Sequence, residues 1–182
     1  MKTLTEPEIL KLLCDNGLDR DRLQDAAVAE LRAHNLKVAT AESCTGGLLS
    51  ERITRVSGSS EVFDCGVCSY ANAVKSKVLS VSEETLRTVG AVSAETAVQM
   101  AQGVRKLAGA DIAVSTTGIA GPTGGTAEKP VGLVYLGVST AEESYAVRLL
   151  LSTAEQRHSR DEIRRLASDA ALFTVWSLCC SR

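Results

Sequence analysis

A chain of 182 residues with 45% hydrophobic side chains is large enough for one compact domain, and at 3% aromatic residues its core must be built from Ala, Val, Leu and Ile. The formal net charge of −2 argues against a general nucleic-acid binder. No run approaches the roughly eighteen apolar residues of a membrane span, and the start M-K-T-L-T-E-P-E lacks the basic-then-apolar pattern of a signal peptide, so the six cysteines read as reduced thiols and a cytoplasmic protein without a membrane partner is expected.

Thr5-Glu6-Pro7-Glu8 resembles a helix start, and that helix is predicted to stop near Asn16-Gly17. Residues 1–18 therefore read as an N-terminal helical extension and 19–182 as the main domain. A second helix fits Asp19 to His34, on a stripe of Leu23, Ala27 and Leu31, with Asn35 closing it. Lys37 to Thr40 reads as the first strand. A sharp corner follows, then a helix from about Gly46 to Val56 and a break at Ser57-Gly58-Ser59-Ser60. Val62 to Tyr70 alternates loosely and reads as a second strand. Ala71 to Val78 looks helical, Ser82-Glu83-Glu84 opens a short helix ending at Gly90, and Ser93 starts a longer one through Leu107, ended by Gly109. Asp111 to Thr116 is the next strand. Val131 to Ser139 and Ser144 to Leu151 read as an antiparallel pair, and residues 155–178 as one long final helix. Strands alternating with helices imply a three-layer α/β domain, its sheet mixed because the last two strands form a hairpin.

Two glycine-rich loops follow strands, and in an open α/β sheet ligands sit beyond the carboxyl ends of the strands. The first, T-A-E-S-C-T-G-G from Thr40 to Gly47, brings a hydroxyl to a tight corner with backbone amides suited to an anion. Ser43 or Thr45 merely capping the next helix is the plainer use of that corner. The second loop, Thr117 to Gly125, has no lysine and does not match a Walker A loop. Between them lies Y-A-N-A-V-K, whose Tyr70 and Lys75 can face one cleft across a strand-to-helix junction. A serine needs a base. The only histidines, His34 and His158, belong to no Ser-His-Asp pattern, which leaves a lysine with a lowered pKa as the alternative. Cys65-x-x-Cys68 lies in a predicted strand, where residues three apart point to opposite faces, and Cys179-Cys180 lacks zinc-site spacing, so no metal site is expected. Arg157, Arg160 and Arg164 would share one face of the last helix, where they can meet a phosphate.

Taken in order, T-A-E-S-C-T-G-G, G-S-S-E-V-F, Y-A-N-A-V-K, G-A-V-S and T-G-I-A-G-P-T-G-G-T-A-E-K-P-V-G-L-V-Y resemble the CinA C-terminal domain family, which includes stand-alone nicotinamide-mononucleotide deamidases. The likeness covers roughly residues 20–178. It implies a three-layer α/β/α sandwich with a mixed, mainly parallel sheet of about five strands. It also implies an amidase that converts nicotinamide mononucleotide to nicotinate mononucleotide and ammonia without metal or cofactor. On this resemblance Ser43 is the nucleophile, Lys75 its general base, and Tyr70 an aid to proton transfer. Amides around Thr45 and Gly46 would serve the oxyanion, Thr117, Gly118 and Gly121 the nucleotide, and Arg160 its phosphate. The family often reads Gly-Asp-Arg where this chain has His158-Ser159-Arg160. The expected partners are a small nucleotide substrate and further copies of the chain, with no nucleic acid. A non-enzymatic nucleotide- or protein-binding module linked to competence is the alternative.

Overall fold

The computed structural model describes residues 3–181; Met1, Lys2 and Arg182, at the outer ends of the two expected segments, lie outside the described residues. The chain runs β1 (Thr3–Thr5), α1 (Glu6–Asp15), α2 (Leu23–Ala33), β2 (Val38–Glu42), α3 (Leu48–Thr54), β3 (Phe63–Cys68), α4 (Asn72–Leu79), α5 (Glu83–Thr88), α6 (Ala94–Ala108), β4 (Ile112–Gly118), β5 (Leu133–Ser139), β6 (Ser144–Leu150) and α7 (Arg160–Cys180). Among the described residues the strands form one six-stranded sheet in the order β1-β6-β5-β4-β2-β3. The β1–β6, β2–β3 and β2–β4 pairs are parallel, and β5 is antiparallel to both its neighbours.

The sheet thus has one strand more than the expected five or so. Thr3–Thr5 is too short to show alternation, yet it pairs with Arg148, Leu149 and Leu150 at the open edge of β6. The final helix starts at Arg160 and not near 155, because Ser159 caps it by accepting from the Glu162 amide. Arg157 is therefore off the helix.

Alternate residues of the central strands feed two cores. Val38, Ile112 and Val114 face a large cluster with Ile9, Leu31, Leu49 and Leu166 from α1, α2, α3 and α7. Ala39, Ala41 and Ala113 face a smaller one with Leu79, Met100 and Val104 from α4 and α6. Small residues on that side let α6 lie close to the sheet, which suits a chain poor in aromatics. The loop after β2 leaves to one face and the loop after β3 to the other. Their divergence opens a crevice at the carboxyl edge of the parallel strands.

Candidate active site

Register brings three segments to that crevice. Glu42, the last residue of β2, lies opposite Cys68 of β3 and Thr116 of β4. Ser43, Tyr70 and Thr117 follow one or two positions later, and all three line one cleft with Lys75, Gly118 and Arg160. The cleft holds about 130 Å³, below the range of sites that enclose a drug-sized ligand whole.

The corner is held by a residue that sequence reading passed over. Glu42 is fully buried, and its carboxylate accepts from the amides of Gly47 (2.9 Å), Leu49 (3.1 Å) and Ser50 (2.8 Å) and from the Ser50 hydroxyl (2.6 Å). It satisfies the open N–H groups at the start of α3 and puts negative charge at the positive end of that helix. Neither Ser43 nor Thr45 caps α3. Thr45 instead turns inward, its hydroxyl 2.7 Å from that of Thr116. Gly46 and Gly47 carry φ of +60° and +94°, a backbone region that penalises any side chain and explains the glycine pair. The Gly46 amide donates to the Ser43 carbonyl (3.2 Å). From outside, Arg164 grips the corner, donating Nε and Nη2 to the Thr45 carbonyl at 3.1 and 2.8 Å.

The Ser43 hydroxyl meets Lys75 instead. Lys75 sits in the first turn of α4 and is only 1% exposed, and its Nζ lies 3.1 Å from Ser43 Oγ. It also donates to the carbonyls of Ser69 (2.7 Å) and Tyr70 (3.3 Å). Three acceptors thus surround Nζ, enough for the three N–H groups of an ammonium; the neutral amine would keep two N–H groups on the carbonyls and turn its lone pair to the serine hydroxyl. Burial lowers the Lys75 pKa from its ordinary 10.5, with Cys44 and Cys68 acting in the opposite direction. Among the described residues no carboxylate forms an ion pair with it. Burial pushes the Cys44 thiol up to about 12, so the cysteine beside Ser43 stays protonated and a poor nucleophile.

Tyr70 stands at the rim, 66% exposed, and accepts from Arg160 Nη2 at 3.3 Å. Its side chain points to Arg160, and its contact with Lys75 is through the carbonyl. Arg160 also donates to the Gly121 carbonyl (2.8 Å), so Gly121 anchors the arginine from outside the cleft. Thr117 donates its hydroxyl to the Ala91 carbonyl (2.6 Å). At Gly118 a β-carbon would fall 2.6 Å from the Leu133 carbonyl oxygen, so close strand packing already requires the glycine there. Thr45 and Gly46 do not line the cleft. Lys129, also missed in the sequence, ties the second loop to the cleft wall through the carbonyls of Val89 and Val92, both at 2.8 Å. Only the K-P-V-G run marks it in the sequence. Cys65 and Cys68 are free thiols on opposite faces of β3.

The model of the CinA C-terminal domain matches residues 20–179. A competence-damage inducible protein of Thermoanaerobacter sp. (strain X514) is 52% identical over 156 residues, which cover 82% of this chain and 38% of the relative. A CinA-like protein of Kosmotoga olearia is 48% identical over 159 residues, covering 87% and 37%. The chain thus spans well under half the length of these relatives. Among solved structures, the competence/damage inducible protein CihA of Agrobacterium tumefaciens is 39% identical, with a TM-score of 0.76 over 87% of this chain and 94% of its own. A CinA superfamily protein of Klebsiella pneumoniae is 28% identical, with a TM-score of 0.83 over 90% and 99%.

Proposed function

Because the chain belongs to the CinA C-terminal domain family, we propose that it is a serine-type amidase that hydrolyses the carboxamide of nicotinamide mononucleotide. The reading rests on one observation above the others, a buried lysine amine 3.1 Å from a serine hydroxyl at the carboxyl edge of the parallel strands. Ser43 Oγ attacks the carboxamide carbon while neutral Lys75 takes its proton. The tetrahedral oxyanion needs amide donors, and those of Thr45 and Gly46 lie outside the cleft lining, so they serve it only if the corner shifts, the Gly46 amide by leaving the Ser43 carbonyl. Collapse expels ammonia with the proton held by Lys75, leaving an ester on Ser43. Lys75 then deprotonates a water that attacks the ester, and the proton returns to Ser43 as nicotinate mononucleotide leaves. No metal or cofactor is needed for these steps.

The small cleft takes the pyridine carboxamide, and the ribose phosphate lies across the rim. There Arg160, held by Tyr70 and the Gly121 carbonyl, meets the phosphate. Thr117 and Gly118 form the wall beside the ring. Self-association is part of the same reading. Val74 and Val78, one turn apart on α4 and both exposed, are apolar residues such an interface would cover, and the mass in solution tests it.

Ammonia release from nicotinamide mononucleotide is the deciding assay, comparing the native chain with Ser43→Ala. Turnover that disappears in the folded variant supports the nucleophile. Absence of turnover in both, with the nucleotide still bound, favours a binding module.

A further inference from the structure

A second cavity, of about 470 Å³, opens between the start of α2, the length of α3 and the first turns of α7. It shares no lining residue with the serine–lysine cleft. Arg52, Arg55, Arg164 and Arg165 line it against Asp21 and Asp161. Four guanidiniums face two lining carboxylates, and with Asp169 behind Arg52 and Glu51 beside Arg55 each arginine has a carboxylate partner, so the concavity is dense in guanidinium donors without being strongly charged overall.

Arg52 at the back is committed, donating to Ser168, Asp169, Gln24 and the Arg20 carbonyl. The other three hold looser carboxylate partners, although Arg164 also keeps Nε and Nη2 on the Thr45 carbonyl. Arg55 pairs with Glu51 in the open, their side chains 65% and 50% exposed. Arg165 pairs with Asp21, and Arg164 Nη1 reaches Asp161 only at 3.4 Å. Exposed pairs of this kind contribute little to stability and exchange for a better acceptor. An oligophosphate offers linked anionic oxygens to several guanidiniums at once, which these separate carboxylates do not.

We propose that this cavity is an oligophosphate site, taking a chain of two or three phosphates either free or as the tail of a nucleotide. Arg55, Arg164 and Arg165 supply the donors. The inner edge of Arg164 keeps its hold on the Thr45 carbonyl, so occupancy reaches a point two residues from Ser43.

Calorimetric titration of the whole chain with inorganic tripolyphosphate, at low and at high ionic strength, tests this. Saturable binding is expected, weakened by salt. The Arg55→Ala/Arg165→Ala variant should bind about tenfold or more weakly, since it loses two charge-assisted donors. Ser43→Ala should bind as the native chain does. Asp161→Asn removes a competing carboxylate and should tighten binding about threefold, a gain that misfolding cannot mimic. Adenosine triphosphate titrated in parallel separates the sources: tighter binding than tripolyphosphate identifies a nucleotide tail, and equal binding identifies free oligophosphate. No saturable binding, equal affinity in the double-arginine variant, or weaker binding in Asp161→Asn overturns the proposal.

Discussion

At the scale of single residues, the candidate chemistry depends on two buried ionisable side chains with different duties. Lys75 must be neutral to act as a base, and its burial favours that form. Lys75→Ala should lower kcat about 10³-fold while nucleotide binding persists. In the native chain kcat/KM should rise with pH through an ionisation below 10.5, a limb absent from the residual activity of the variant. The same group shapes stability. Between its lowered folded pKa and 10.5 the unfolded chain holds the extra proton, so stability climbs with pH across that window and is lowest below it. Glu42 is the acceptor for three amides and a hydroxyl. Glu42→Ala should cost about 3 kcal/mol in chemical denaturation, because those donors are left buried and unpaired. A midpoint shift within error would mean that water replaces the carboxylate and that the corner does not depend on it.

At the scale of elements, α7 is the piece on which both sites depend, and it is fixed by a buried ion cluster. Asp169 has no exposed surface and accepts from Arg52 Nη1 at 2.7 Å and Arg20 Nε at 2.6 Å, tying α7 to α3 and to the turn before α2. Asp169→Ala leaves the Arg52 guanidinium buried without its carboxylate and should cost about 3–5 kcal/mol. Arg52→Met combined with Asp169→Leu should recover part of that loss, and denaturation of the single and double variants measures the coupling. Which helices and strands exist was largely legible from periodicity and punctuation. The ends were not. Nothing in residues 155–159 breaks a helical pattern outright, and only the Ser159 cap sets the true start. Residues 3–5 carry no strand signal of their own, since their pairing is supplied by a partner 145 residues away. That Ser43, Lys75 and Arg160 come to one cleft was legible through the family resemblance and the need for a base other than histidine. Glu42 and Arg164 were not, because a lone carboxylate in a strand and one arginine among several look ordinary until the corner is folded.

At the scale of the whole molecule, the segment before residue 20 lies outside the family match yet is built into the structure. β1 completes the sheet beside β6, and Ile9 and Leu13 of α1 are 1% and 3% exposed in the larger core. Glu6 accepts from Gln156 and lies 2.7 Å from His158 Nε2, so the segment also braces the loop that leads to Arg160. Losing the burial of two aliphatic side chains against the core costs about 2–3 kcal/mol each, so a chain lacking residues 1–18 should lose about 5 kcal/mol. It should also associate as its concentration rises, because β6 would present an unpaired edge. The effect on the site should be selective. With the 151–159 loop unbraced, Arg160 is less well placed, and KM for the nucleotide should rise more than kcat falls. Denaturation, light scattering and steady-state kinetics on the shortened chain separate these effects. Unchanged stability and kinetics would mean that residues 19–182 stand alone as the working unit, with the N-terminal segment a passenger on the edge of the sheet.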